Sequence, residues 1–74
     1  MKKLSQLKVG EKAIIDSFEE DAVPVKLLEL GCLPGNQIVL HSIAPFRDPI
    51  CVELEGSQIA IRRETAVRIF VETV

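Results

Sequence analysis

Few side chains in this 74-residue chain are equipped for chemistry. His41 and Cys51 fall on two neighbouring strand-like runs, and Glu53 follows two residues later. Imidazole and thiolate suit late first-row metals, and a carboxylate would add an oxygen donor. If His41 faces Cys51 across a hairpin, Leu40 faces Val52 and Ser42 faces Ile50. His41, Cys51, Val39 and Glu53 then share one face of the sheet. A structural metal site normally takes four ligands. Cys32 lies near a helix end and is not placed with the others by spacing, so the simpler reading is a surface histidine beside a half-buried thiol. The expectation is no metal site and no cofactor.

The arginines are the other candidates. Arg47 sits in the loop Phe46-Arg47-Asp48-Pro49 and is read as exposed. A loop guanidinium beside a nucleotide-hydrolysing partner can act on phosphate charge. Arg62 and Arg63 alternate across a strand end. One is expected to pair with Glu64 or a barrel carboxylate, and the other to face a partner. The single histidine has no nucleophile in a motif-like context, there is no glycine-rich phosphate cradle, and the carboxylates are scattered. The chain is therefore read as no enzyme.

The elements that must position these groups are short. Leu4 and Leu7 suggest one turn that pins the N-terminus, and Lys12 to Glu19 reads as a strand. Asp21 is the expected helix N-cap, Pro24 falls in the first turn, and Val25, Leu28, Leu27 and Leu30 supply an apolar stripe. Gly31 follows the last turn, where a left-handed residue ends a helix. Pro34-Gly35 fits the centre of a type II turn. Strands are then expected over Asn36–Ala44, Ile50–Glu55, Gln58–Arg62 and Val67–Val71. A turn is expected at Gly56-Ser57 and a helical turn over Arg63–Ala66. The result is a mainly β chain: one small SH3-like or OB-type barrel, residues 1–74, of about five strands with a short helix inserted after the first.

Composition narrows the function classes. The net charge of -2 gives no electrostatic footprint for nucleic acid. No run approaches the ~20 apolar residues of a membrane span, and Met1-Lys2-Lys3-Leu4 does not open a signal peptide. The expected location is cytoplasmic, with Cys32 and Cys51 as free thiols. Leu27, Leu28 and Leu30 cannot all face the sheet, because successive helix residues diverge by about 100°. The exposed ones, joined by Leu33, are candidates for an apolar docking patch. An open strand edge would also allow pairing of copies.

Four stretches, in order, carry a resemblance: Leu4-x-x-Leu7-x-x-Gly10, Leu28-Glu29-Leu30-Gly31-x-x-Pro34-Gly35, Ala44-Pro45-x-x-Asp48-Pro49-Ile50, and Gly56-x-x-Ile59-Ala60-Ile61-Arg62-x-x-x-Ala66-x-x-Ile69-x-Val71. Together they resemble the FeoA family, small cytoplasmic accessory proteins of bacterial ferrous-iron uptake. They are similar also to the SH3-like C-terminal domain of iron-dependent repressors. The resemblance implies an SH3-like barrel and a role beside FeoB, a membrane permease with a GTPase domain. Leu27, Leu28, Leu30, Leu33 and Arg47 are then the candidate partner-binding residues, and Arg47 or Arg63 a candidate modulator of GTP hydrolysis. The alternative it implies is a free-standing metal-responsive regulatory domain. Two positions depart from the family: Cys32 replaces a larger aliphatic residue, and Arg47 stands where glycine often precedes Asp-Pro.

Overall fold

Every buried residue of the chain is apolar, and alternation delivers most of them to one side of a single sheet. In the computed structural model, which describes residues 1–74, the strands are β1 (Lys2–Lys3), β2 (Lys12–Phe18), β3 (Gln37–Ile43), β4 (Ile50–Leu54), β5 (Ser57–Ile61) and β6 (Ile69–Thr73). Helix α1 (Val25–Glu29) joins β2 to β3, and α2 (Arg63–Ala66) joins β5 to β6. All neighbours are antiparallel, in the order β1-β6-β2-β3-β4-β5.

The expected core face is the observed one: Ile38, Leu40, Ile50, Val52 and Leu54 are all buried. Ala13, Ile15, Ile61, Ile69 and Val71 complete it from the other strands, and Leu4 and Leu7 plug it from the N-terminal 3-10 turn Leu4–Gln6. That turn packs against α2, whose Ala66 is fully buried.

Several boundaries differ from expectation for local reasons. The closing strand starts at Ile69, two residues later than its apolar run, because Val67 and Arg68 are used to finish the turn after α2. Lys2-Lys3 forms a sixth strand against β6, a pairing that two exposed lysines do not announce. The β4–β5 turn falls on Glu55-Gly56, not Gly56-Ser57. Both central residues take positive φ, +50° and +82°, the requirement of a two-residue turn whose twist matches the flanking strands. Asp21 does not cap α1. It adopts φ +61° in a tight turn closed by Ala22 N–H donating to the Glu19 carbonyl at 3.0 Å, and Pro24 holds the position before the helix.

The end of α1 follows the glycine signal. Cys32 N–H donates to the Leu27 carbonyl at 3.0 Å and Gly31 N–H to the Leu28 carbonyl at 3.1 Å. This pair of bonds is the Schellman arrangement, with Gly31 at φ +106° as the left-handed residue. The buried pair Leu27 and Cys32 provides its apolar contact. The turn expected at Pro34-Gly35 is also present: Asn36 N–H donates to the Leu33 carbonyl at 3.1 Å, with Gly35 at φ +95°.

Candidate docking surface

His41 does not face Cys51 as the expected register had it. A β-bulge interrupts the β3–β4 register between Leu40 and Ser42. Leu40 still faces Val52, but Ser42 faces Cys51 and Ile43 faces Ile50, so His41 has no opposite residue. His41 is exposed, with its Nδ1 3.5 Å from Ser42 Oγ. No group of three or more His, Cys, Asp or Glu side chains converges anywhere in the fold. Cys32 is buried, and desolvation pushes its thiol up from the ordinary value. A groove on the outer face of β3 and β4 is lined by Gln37, Val39, Glu53, Glu55 and Gly56.

The leucines divide. Leu27 is only 8% exposed and belongs to the core, which removes it from any contact surface. Leu28 is half-buried against the core, and Leu30 is also half-buried. Leu33 is 43% exposed. Val25, assigned to the buried stripe from sequence, is 68% exposed instead. The helix of five residues turns one side inward, and Leu27 takes that side, while Val25, about 200° round the helix, faces out. The available apolar corner is thus Val25, Leu28, Leu30 and Leu33.

Arg47 lies elsewhere. The β3–β4 loop is a tight turn in which Arg47 N–H donates to the Ala44 carbonyl at 2.7 Å, and Arg47 itself sits at φ +68°. That conformation explains why a glycine would be at ease there. The neighbouring Phe46 is 93% exposed, a larger apolar projection than any leucine. Sequence reasoning chose Arg47 and missed Phe46. The signal was present, since an aromatic side chain between Pro45 and Pro49 in an interstrand loop has no strand face on which to bury.

Arg63 holds this loop in place. Its Nε donates to the Arg47 carbonyl at 2.8 Å and its Nη1 to the Ser5 carbonyl at 3.2 Å. Its backbone N–H donates to Asp48 Oδ1 at 2.8 Å, so a loop carboxylate caps α2 from outside the helix. The guanidinium is bonded to two carbonyls, not paired with Glu64 or another carboxylate, and is not free to act on a partner's phosphate. Arg47 is.

The two projections stand at opposite ends of the barrel. An added Cβ at Gly31 would lie 2.6 Å from Glu55 Cγ, so the α1 end sits over the β4–β5 turn. The Phe46 loop joins the other end of the same strands, where Ile43 pairs with Ile50. Seven-residue β3 separates them, about 20 Å at ~3.3 Å per residue. This is most of a molecule measuring 28 × 24 × 23 Å. The candidate residues therefore form two patches and not one.

The fold is of the small SH3-like barrel class, with apolar side chains displayed at its two ends around an all-apolar core. The FeoA domain model matches residues 2–73, and the chain belongs to the FeoA family. It is 36% identical over 73 residues, 97% of its length, to an "Fe(2+) transport protein A/Fe(2+) transporter FeoB fusion protein" of Porphyromonas gingivalis, and spans 9% of that protein. A FeoA protein from Chlorobium tepidum superposes with TM-score 0.89 at 37% identity, covering 97% of this chain and 70% of that one. The zinc complex of Stenotrophomonas maltophilia FeoA, described as a procaryotic SH3 domain protein, gives 0.78 at 27% identity over 93% of this chain and 87% of that one. IdeR of T. acidophilum gives 0.83 at 26% identity over 97% of this chain and 33% of that one. No helix is long and apolar enough to cross a membrane.

Proposed function

We propose that this chain is a non-catalytic cytoplasmic accessory domain that docks on a FeoB-type ferrous-iron transporter and modulates transport. The observation that supports it is the Porphyromonas gingivalis fusion, in which a related domain and FeoB share one polypeptide. A covalent link keeps a domain at high effective concentration beside its partner. A separate chain needs a surface that replaces the link. The barrel offers two. One is the corner of Leu28, Leu30 and Leu33 with Val25, and the other is the Phe46-Arg47 tip. Aromatic and arginine side chains are the commonest strong anchors of protein interfaces, which favours the tip as the energetic centre. The leucine corner is the second contact.

The test is capture of the detergent-solubilised FeoB-type transporter from the same organism on immobilised wild-type chain, Phe46→Ala, Arg47→Ala and Leu33→Glu. Phe46→Ala should weaken capture by about tenfold or more, the usual scale of a central anchor. Leu33→Glu should weaken it by a smaller factor. Unchanged capture by both variants, with folding intact by circular dichroism, would refute docking through these surfaces. Measuring the transporter's GTPase rate with wild type and Arg47→Ala then separates tethering from an effect on hydrolysis.

A further inference from the structure

The two edges of the sheet are built differently. β1 is two residues long and carries Lys2 and Lys3. Shortness and lysines both discourage strand addition. The opposite edge, β5, runs Ser57-Gln58-Ile59-Ala60-Ile61 with no charge, proline, glycine or bulge. None of the usual protective devices is present there.

Its free backbone groups follow from the register. The two-residue turn at Glu55-Gly56 makes Leu54 and Ser57 a hydrogen-bonded pair. Alternation makes Val52–Ile59 and Ile50–Ile61 the next such pairs. The N–H and C=O groups of Gln58 and Ala60 therefore point away from β4. No turn, loop or side chain bonds to them. Both residues are exposed.

We propose that β5 is a self-pairing edge through which two copies of this chain associate, antiparallel about a two-fold axis at Ile59. In that register Gln58 faces Ala60 of the other copy, and each such pair exchanges both hydrogen bonds. All the outward groups of both residues are thereby satisfied. Ile59, half-buried against the core, meets its own counterpart as a non-hydrogen-bonded pair, where side chains approach most closely. Extending the register sets Arg62 opposite Gly56 of the other copy, beside Glu55. Both Arg62 and Glu55 are exposed, so an arginine meets a carboxylate at each end and no like charges face each other. The same patch serves both copies, as a two-fold contact requires. This complementarity favours a second copy over an unrelated strand. The contact is small, so the dimer is weak and concentration-dependent. The inference is independent of the transporter reading, and its test needs no transporter.

Sedimentation equilibrium of the wild-type chain from about 10 μM to about 1 mM should show a monomer–dimer shift, the range expected of a small interface. Ala60→Pro removes one outward N–H without breaking a bond to β4, a position at which an edge strand tolerates proline. It should leave the protein monomeric throughout. Should that variant unfold, Gln58→Lys with Ala60→Lys opposes like charges at the same pairs and should give the same monomer. Ile59→Cys in a Cys51→Ser background should form a disulfide dimer on mild oxidation, whereas Ser57→Cys in that background should not. A wild-type chain monomeric at 1 mM overturns the proposal. So does a dimer that persists in the folded edge variants, or a Ser57→Cys chain that crosslinks as readily as Ile59→Cys.

Discussion

Replacing Arg63 by alanine should loosen the Phe46 tip and destabilise the whole domain, because one side chain connects three segments far apart in sequence. The guanidinium donates to Arg47 at 2.8 Å and to Ser5 at 3.2 Å. A hydrogen bond from a charged donor is worth about 1.5–3 kcal/mol when well sheltered. The bond to Arg47 is exposed and the one to Ser5 part-buried and longer, so each belongs at or below the bottom of that range. About 2 kcal/mol in total is a reasonable sum, since the carbonyls left behind regain water. For a domain of 60–100 residues, 1 kcal/mol moves the melting temperature by about 4–8 °C. Arg63→Ala should therefore melt some ~8–16 °C below wild type. Arg63→Lys keeps the charge but loses the planar fork that reaches two carbonyls at once, and should recover less than half of the loss. Arg62→Ala is the control: Arg62 is exposed and its side chain makes no hydrogen bond or ion pair, so its melting point should stay close to wild type. Thermal unfolding followed by far-UV circular dichroism decides the matter. An Arg63→Ala chain melting within about 2 °C of wild type would refute the assigned role, since that shift is under ~0.5 kcal/mol.

Two further substitutions test other joints of the fold. Gly31→Ala forces a side chain into φ +106° and sets its Cβ 2.6 Å from Glu55 Cγ. It should cost about 2–3 kcal/mol in urea unfolding, and less in a Glu55→Gly background, where the clash is gone and only the backbone strain remains. Simple addition of the two single-variant costs would refute that contact. Glu11 has its carboxyl held below the ordinary range, chiefly by Lys8 N–H donating to Oε1 at 2.9 Å, with Lys2 Nζ at 3.3 Å adding to it. A lowered carboxyl stabilises the fold above its unfolded value, and that contribution fades as pH falls through the folded one. Glu11→Gln should therefore flatten the acid limb of a melting-temperature profile while leaving the alkaline limb unchanged.

What was legible in the sequence was whatever one period or one special residue controls. Ile38, Leu40, Ile50, Val52 and Leu54 announced their face because strand alternation has a period of two. Gly31 and Gly35 announced their turns because few other residues take those φ values easily. What was hidden depended on packing or on partners distant in sequence. The inward side of a five-residue helix is set by what it packs on, so an apolar stripe of Val25, Leu27, Leu28 and Leu30 did not say that Leu27 would enter the core and Val25 stay out. The bulge at His41 displaced it from Cys51, and no residue type there signals a bulge. Arg63 was read as a surface charge because Ser5 lies 58 residues away.

These hidden features bear directly on how the barrel could serve a transporter. With Leu27 in the core and Arg47 about 20 Å from the leucine corner, a partner of ordinary size cannot press a flat face on both patches without also covering the sheet between them. That intervening outer face carries Val39, Cys51 and Glu53 and the acidic groove beside Glu55, a poor surface for burial, since charge at an interface core is costly. Two separate contacts are the better arrangement, one at each end, each small. Small contacts release easily, and two of them acting together still hold, because the second forms at high local concentration once the first is made. If that arrangement is right, losing either contact alone through its apolar residues should raise the dissociation rate far more than it slows association, since Val25, Leu28, Leu30, Leu33 and Phe46 carry no charge to steer encounter. Association rates falling in step with dissociation rates rising would instead point to one continuous interface over the outer sheet.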